Sequence, residues 1–207
     1  MMRKSYTKRI RELFDDGFST EELAIMYRVS EYQIKLVFVE YKQDIADVYK
    51  QLFPNDTVIV TDAHQYLLDH YKEFDFIWSS PPCPTHSRLR TAIKEKVYPD
   101  MTLYQEIVFL QKWFYGDWIV ENVIPYYEPL IKPVATIDRH YVWSNRPIAD
   151  KEFARVYKGS VTDQSITTLQ NAYGIQLPGH VKNKRKLLRN VALPEMGAYI
   201  MTQLGVV

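Results

Sequence analysis

The stretch Phe74-Asp75-Phe76-Ile77-Trp78-Ser79-Ser80-Pro81-Pro82-Cys83-Pro84 limits the folds open to this chain more than any other. Its first half is an apolar run short enough to be a buried strand. Its second half carries two prolines ahead of a cysteine and one behind it, and proline continues neither a helix nor a central strand. The chain therefore leaves a strand into a stiff loop with Cys83 at its crown. Loops at strand ends are where an α/β sheet presents reactive groups. Cys83 is the only cysteine, so an intrachain disulfide is excluded and a cysteine-based zinc site, or any metal site, is not expected. A lone cysteine commonly serves as a small buried apolar residue. Here the proline frame and the polar Thr85, His86 and Ser87 favour a positioned nucleophile.

The flanking sequence supplies the sheet that such a loop needs. Residues 43–53 read as a helix with Ile45, Val48 and Leu52 on one face, Pro54-Asn55-Asp56 as a turn, and Thr57 to Thr61 as a strand ending at Asp62. Residues 64–72 read as helix. Leu103, Ile107, Leu110 and Phe114 make one apolar stripe over residues 100–115, a core-facing helix that Gly116 stops. Trp118-Ile119-Val120 and Tyr141-Val142-Trp143 are further short strands. The alternation predicts an α/β protein with a mostly parallel sheet. Lys35 to Glu40 fits either the end of a helix or a buried strand. Pro194 to Leu204 reads as a helix that packs back on the sheet.

The N-terminus has a different character. Tyr6, Ile10, Leu13 and Phe14 recur at helical spacing, Asp15-Asp16-Gly17 ends that helix, and Ser19 with Glu22 forms a capping box for the next. Ser30 caps a third. The array Gly17-Phe18-Ser19, Glu22-Leu23-Ala24, Val29-Ser30 and Ile34 resembles the helix-turn-helix family, whose helix after the turn enters the major groove. On that resemblance Arg28, Gln33 and Lys35 are the residues expected on DNA.

With 207 residues the chain can bury one good core. Its net charge of +1 does not announce nucleic acid, so a DNA-binding face has to come from local clusters such as His180 to Lys186. No apolar run reaches membrane-spanning length and the basic N-terminus has no apolar signal core, so a cytoplasmic protein without a membrane partner is expected.

Two strand-end loops carry the chemistry, Pro82-Cys83 and Glu121-Asn122-Val123. In a parallel sheet both leave from one edge, so a thiol and a carboxylate share a pocket. A thiolate adds to an electron-poor ring carbon, and a carboxylic acid that protonates a ring nitrogen makes that carbon more electrophilic. These segments, in this order, resemble the DNA cytosine-5 methyltransferase family. Its Pro-Cys loop is matched by Pro82-Cys83 with Ser87 downstream, and its Glu-Asn-Val tripeptide by Glu121-Asn122-Val123. Its arginine-bearing strand is matched by Arg139 in Asp138-Arg139-His140-Tyr141, and its closing motif by Asn190-Val191 and Pro194. Val39-Glu40-Tyr41 looks like the segment that holds the ribose of S-adenosylmethionine and stacks its adenine, and Thr61-Asp62 like the one that contacts the adenine. The resemblance runs from about Lys35 to the C-terminus.

The resemblance implies catalytic roles for Cys83, Glu121 and Arg139, with Cys83 adding to C6 of a flipped cytosine, Glu121 donating to N3 and Arg139 holding O2. It implies cofactor-binding roles for Glu40, Tyr41, Asp62 and Asn190, and contacts to double-stranded DNA from Ser87, Arg88, Lys184 and Arg185. It departs at one place: the family's opening strand and glycine-rich loop are missing, and the helix-turn-helix pattern stands there instead. The expected architecture is thus a Rossmann-like methyltransferase sheet truncated at its first strand. A helix-turn-helix-like segment covers 1–38, a methyltransferase-like domain 39–150, a reduced target-recognition region 151–188, and a C-terminal segment 189–207 packs back. The expected function is a DNA-binding protein that flips a cytosine toward Cys83 and Glu121, with the usual S-adenosylmethionine site impaired or lost. The alternatives are an active methyltransferase whose donor is held by a partner subunit, a homodimer mate or an unusual site, and a helix-turn-helix transcriptional regulator.

Overall fold

A computed structural model of the chain describes residues 37–88, 97–154, 163–189, 191 and 193–205. The expected helix-turn-helix lies outside the described residues except for Val37 and Phe38, and so do Arg28, Gln33, Lys35 and Asn190. The chain divides into two compact units at Ala63/His64 and again at Phe153/Ala154. Both are mixed α and β or carry helices around a small sheet.

Among the described residues of the first unit β1 (Val37–Glu40) comes first, so Lys35 to Glu40 resolves toward strand where it is described. α1 (Gln43–Leu52) follows, then β2 (Thr57–Val60). β1 and β2 pair in parallel, with Glu40 opposite Val60. α1 is the crossover that a parallel pair requires. It buries Ala46 and stacks Tyr49 flat on Phe38, ring centroids 3.8 Å apart. Asp56 in the turn accepts from the Tyr49 hydroxyl at 2.6 Å.

The same unit takes up the C-terminal part of the chain. α4 is Ile166–Tyr173, α5 Lys184–Arg189 and α6 Pro194–Gln203. α4 was not legible in the polar sequence 151–173, yet its ends are well signalled. Ser165 accepts from the Thr168 amide at the N-terminus, and Gly174 takes the left-handed conformation at the C-terminus with φ of 64°. Leu169, Tyr173 and Leu188 form a small core with Ile175, Leu177, Val191 and Leu193 against it.

The second unit holds α2, which begins at the division (Ala63–His70), β3 (Phe76–Ser79), α3 (Thr102–Trp113), β4 (Asp117–Val123), β5 (Ala135–Ile137) and β6 (His140–Ser144). Its sheet has the order β3-β4-β6-β5. β3 and β4 are parallel with α3 as their crossover, whereas β4–β6 and β5–β6 are antiparallel. The expectation of a mostly parallel sheet is therefore corrected to two small sheets, of which the larger is mixed. The reason is local. After β4 no helix intervenes, and the two residues Asp138-Arg139 turn β5 straight into β6, with Asp138 at φ 51°. β5 itself has three residues between Val134 and Asp138, too few to show a pattern.

The core of this unit sits between α3 and one face of the sheet. Leu103, Ile107, Leu110 and Phe114 are buried against Trp118, Val120 and Trp143, as the apolar stripe predicts. Side chains alternate along a strand, so Ile77, Trp118, Val120, Asn122, Tyr141 and Trp143 share that face. Ile119, Glu121, Val142 and His140 share the other. Gly116 admits no side chain: a Cβ there would lie 2.3 Å from the Asp75 carbonyl oxygen and 2.5 Å from the Phe114 ring.

Candidate active site

β3 and β4 run in parallel with Ser79 opposite Val120, so the Pro-Cys loop leaves β3 beside the last three residues of β4, Glu121-Asn122-Val123, which pair with β6 as strand rather than forming the expected loop. The stiff loop is fixed to the end of β4 and the chain that follows it by contacts along its length. Asn122, 2% exposed, donates from Nδ2 to the Pro81 carbonyl at 2.8 Å. The Cys83 carbonyl accepts from the amides of His86 and Ser87, folding residues 83–87 into one turn. Ser87 forms a β-bridge with Pro125, the Tyr126 amide donates to the His86 carbonyl at 3.1 Å, and Arg88 reaches the Pro125 carbonyl from an exposed position. Proline stiffness and cross-loop bonding together hold the thiol in one place.

His86 is the deepest of these anchors, at 1% exposure. Its Nδ1 lies 2.6 Å from the Tyr127 hydroxyl, which in turn receives the Tyr104 hydroxyl at 3.2 Å, and Tyr104 accepts from the Leu130 amide. In that chain Tyr127 donates to Nδ1, which places the His86 proton on Nε2. Nε2 is buried and has no well-formed hydrogen bond among the described residues, although the Asp100 main chain lies beside the ring. Burial pushes the imidazole below its ordinary pKa, with Asp100 opposing. Burial likewise pushes the Tyr127 phenol far up, reinforced by its bond to Tyr104.

Cys83 is half-buried, and burial raises its thiol pKa above the ordinary value. The nearby Glu121 carboxylate raises it further, against a local hydrogen bond to the main chain that lowers it. Glu121 is buried at the end of β4.

Arg139 does not accompany them. It occupies the β5–β6 turn, its side chain 63% exposed and 3.6 Å from Asp138. The neighbouring His140 is the β6 residue brought to Glu121, Nε2 to Oε2 at 3.9 Å. Sequence reasoning quoted His140 without giving it a role. It also missed Glu106, which lies on the buried face of α3 at 4% exposure. Glu106 accepts from the Ser79 hydroxyl and lies 3.1 Å from His64 Nδ1. Its signal was present, since a glutamate between Leu103 and Ile107 sits within the apolar stripe and must find partners there.

The remaining expected residues lie in the first unit. Glu40 ends β1 and Asp62 follows β2, so the two acids stand at the same end of adjacent parallel strands. Glu40 Oε1 accepts from the Lys42 amide at 2.9 Å, and Tyr41 is 73% exposed. Two carboxylates and an open aromatic ring are groups that suit the hydroxyls, amine and flat base of a nucleoside. Lys184 is half-buried and donates to the Leu177 carbonyl at 3.2 Å, and Arg185 is exposed and donates to the Gln164 carbonyl. Both thus tie α5 to main chain before it, on either side of α4. Among the described residues no cluster of three or more histidine, cysteine, aspartate or glutamate side chains is arranged to hold a metal ion, and no helix is long and apolar enough to cross a membrane. No protein-family model matches the chain, and no curated protein matches it.

Proposed function

We propose that this protein binds duplex DNA and engages an extruded cytosine with Cys83 and Glu121, in the manner of the cytosine-5 methyltransferases whose motifs it resembles. The observation that carries the reading is the pairing of a loop-held thiol with a buried carboxylate at one end of two parallel strands, close enough that the carboxylate raises the thiol pKa. Cys83 adds through sulfur to C6 of the base. The C5=C6 electron pair moves into the ring as N3 takes the proton from Glu121. The base at C5 then accepts an electrophile. Loss of the other C5 hydrogen and of the S–C6 bond restores the ring and the thiol, and Glu121 recovers its proton.

With water as the only co-reactant, the electrophile is a proton, and the net event is exchange of the C5 hydrogen with solvent. Release of tritium from C5-labelled cytosine in duplex DNA tests the reading directly. Release is expected from the full chain and is expected to vanish in Cys83→Ser. An equal rate in the variant, or none in either protein, refutes it.

The second reading is methyl transfer. It is favoured by the placement of Glu40, Tyr41 and Asp62, whose chemistry fits the nucleoside half of S-adenosylmethionine. Glu40 would hold the ribose, Tyr41 stack on the adenine and Asp62 meet its amine. When bound, that donor supplies the methyl group in place of the solvent proton. The chain's shortage of glycine, with Gly17 alone in the first hundred residues, weighs against the family's usual backbone cradle, so the primary reading keeps donor binding impaired. Transfer of labelled methyl to DNA, lost on Asp62→Ala with C5 exchange retained, is the outcome that selects the second reading.

A further inference from the structure

We propose that Glu106 is a positioning residue of the Cys83 site, acting through Ser79 on the loop that carries the thiol. The inference rests on the reading above and gives the buried acid of α3 a part in it.

Three observations carry it. Glu106 shares the core-facing stripe of α3 with Leu103 and Leu110 and is 4% exposed. Its Oε2 accepts from the hydroxyl of Ser79, the last residue of β3, and its Oε1 lies 3.1 Å from Nδ1 of His64, near the start of α2. The same helix also holds the far side of the loop. Asp100, just ahead of α3, donates from its amide to Thr85 Oγ1 at 2.9 Å and accepts at Oδ1 from the Thr102 amide that opens the helix. Cys83 thus lies between two ties to one rigid element, at Ser79 and at Thr85. Finally, Pro81, Pro82 and Pro84 stiffen the chain between those ties. A floppy loop would absorb a shift at its stem, whereas a stiff one carries it to the crown.

Stability alone does not account for an acid at this position. Leu103, Ile107 and Leu110 flank it on the stripe, and all three are buried. A methionine of similar length would complete the stripe without desolvating a carboxylate, and exchanges of buried ionic groups for apolar ones are often neutral or stabilising. What an apolar side chain lacks is an acceptor for Ser79. Without one, the Ser79 hydroxyl and the end of β3 are free to turn, and the loop starts from a different angle. The contact with His64 engages the second carboxylate oxygen, which keeps the first one facing Ser79. Asn122 ties the same stem at Pro81 from β4, so helix and sheet together set where the thiol stands.

Two measurements on the full chain test this in Glu106→Met, Ser79→Ala and Glu106→Gln. The first needs no DNA. The His86 and Ser87 amides both bond to the Cys83 carbonyl, so their hydrogen exchange reports the state of the loop. Glu106→Met and Ser79→Ala are expected to speed that exchange about threefold or more, with exchange of Ile119 and Val120 in β4 unchanged. Glutamine accepts from Ser79 with its carbonyl and donates to His64 with its amide, so Glu106→Gln is expected to exchange as the wild type does. Unchanged loop exchange in Ser79→Ala, or an acceleration spread equally over β4, overturns the proposal whatever the protein does to DNA. The second measurement is C5-tritium release. A displaced nucleophile costs rate rather than affinity, so kcat is expected to fall about tenfold or more in Glu106→Met, with KM within about twofold, and to recover in Glu106→Gln. Wild-type kinetics in Glu106→Met, a rise in KM alone, or a loss as deep in Glu106→Gln overturns the inference and leaves the functional reading standing. Absence of Cys83-dependent release in the wild type overturns the functional reading, and loop exchange then decides whether Glu106 holds Cys83 in place. If Glu106→Met does not fold, Ser79→Ala, which leaves Glu106 and His64 together, decides by both readouts.

Discussion

Replacing Asn122 tests whether the Cys83 loop is held from β4. Asn122 Nδ2 donates to the Pro81 carbonyl at 2.8 Å, and Oδ1 accepts from the Val123 amide at 3.0 Å. Asn122→Ala removes both. The Pro81 end is fully buried, and an unsatisfied buried acceptor costs about 1–3 kcal/mol. The Val123 end is only half-buried, so its loss counts as the net worth of an ordinary hydrogen bond, about 1 kcal/mol. The expected destabilisation is therefore roughly 2–4 kcal/mol. Asn122→Asp keeps the shape and the bond to Val123 but sets a carboxylate oxygen against the Pro81 carbonyl oxygen. Its folded-state pKa should rise, because only the protonated acid can donate there. The unfolded chain then releases its proton more readily, so the Asn122→Asp deficit grows with pH and shrinks on acidification, while that of Asn122→Ala stays level. All four tryptophans (Trp78, Trp113, Trp118 and Trp143) lie in the 64–153 unit. Urea unfolding followed by tryptophan fluorescence at several pH values therefore reads the relevant unit. A loss below about 0.5 kcal/mol in Asn122→Ala, together with a flat deficit in Asn122→Asp, would refute the argument that this side chain pins the loop.

Three other outcomes follow from the same geometry. Gly116→Ala should destabilise the 64–153 unit by about 1–3 kcal/mol, because the new Cβ meets the Asp75 main-chain oxygen as well as the buried Phe114 ring; calorimetry that finds an unchanged Tm contradicts it. Glu121→Gln removes a charge that raises the Cys83 pKa, so the pH profile of Cys83 alkylation by iodoacetamide should move to lower pH, and a shift upward or none at all rejects the proximity of the two groups. His86 has a folded-state pKa below its unfolded value. Its stabilising contribution is complete above the unfolded pKa near 6.5 and is lost as pH falls toward the folded value, so Tm should drop through that acid window, and less steeply in His86→Gln. Parallel slopes for the two proteins count against a buried neutral His86.

What the sequence reveals about this molecule follows from where its information is local. α1, β2, α3, β4 and α6 are legible because each has a complete apolar pattern within its own length. The loop around Cys83 is legible for the same reason, since three prolines act on their immediate neighbours. β5 and the antiparallel sense of β6 depend on a two-residue turn whose only sign is Asp138 in a left-handed conformation, and periodicity does not register a single residue. The site partners follow the same division. Cys83 and Glu121 sit at strand ends that the chain order predicts. His140 and Arg139 are adjacent in sequence, and which of them reaches Glu121 is decided by strand register, a quantity set by pairing across β4 and β6. Glu106 was hidden by the success of the helix it belongs to, because an apolar stripe draws attention from the one acid inside it.

The half-buried Cys83 and the buried Glu121 bear on one another in a way that neither residue would alone. A thiol whose pKa is raised by burial and by a carboxylate is a poor nucleophile at rest. On the proposed reading the same carboxyl group gives a proton to a ring nitrogen, and a carboxyl group that carries a proton no longer opposes the thiolate. The proposed reaction therefore requires that the event which readies the acid also frees the nucleophile, so the two steps are coupled through one side chain.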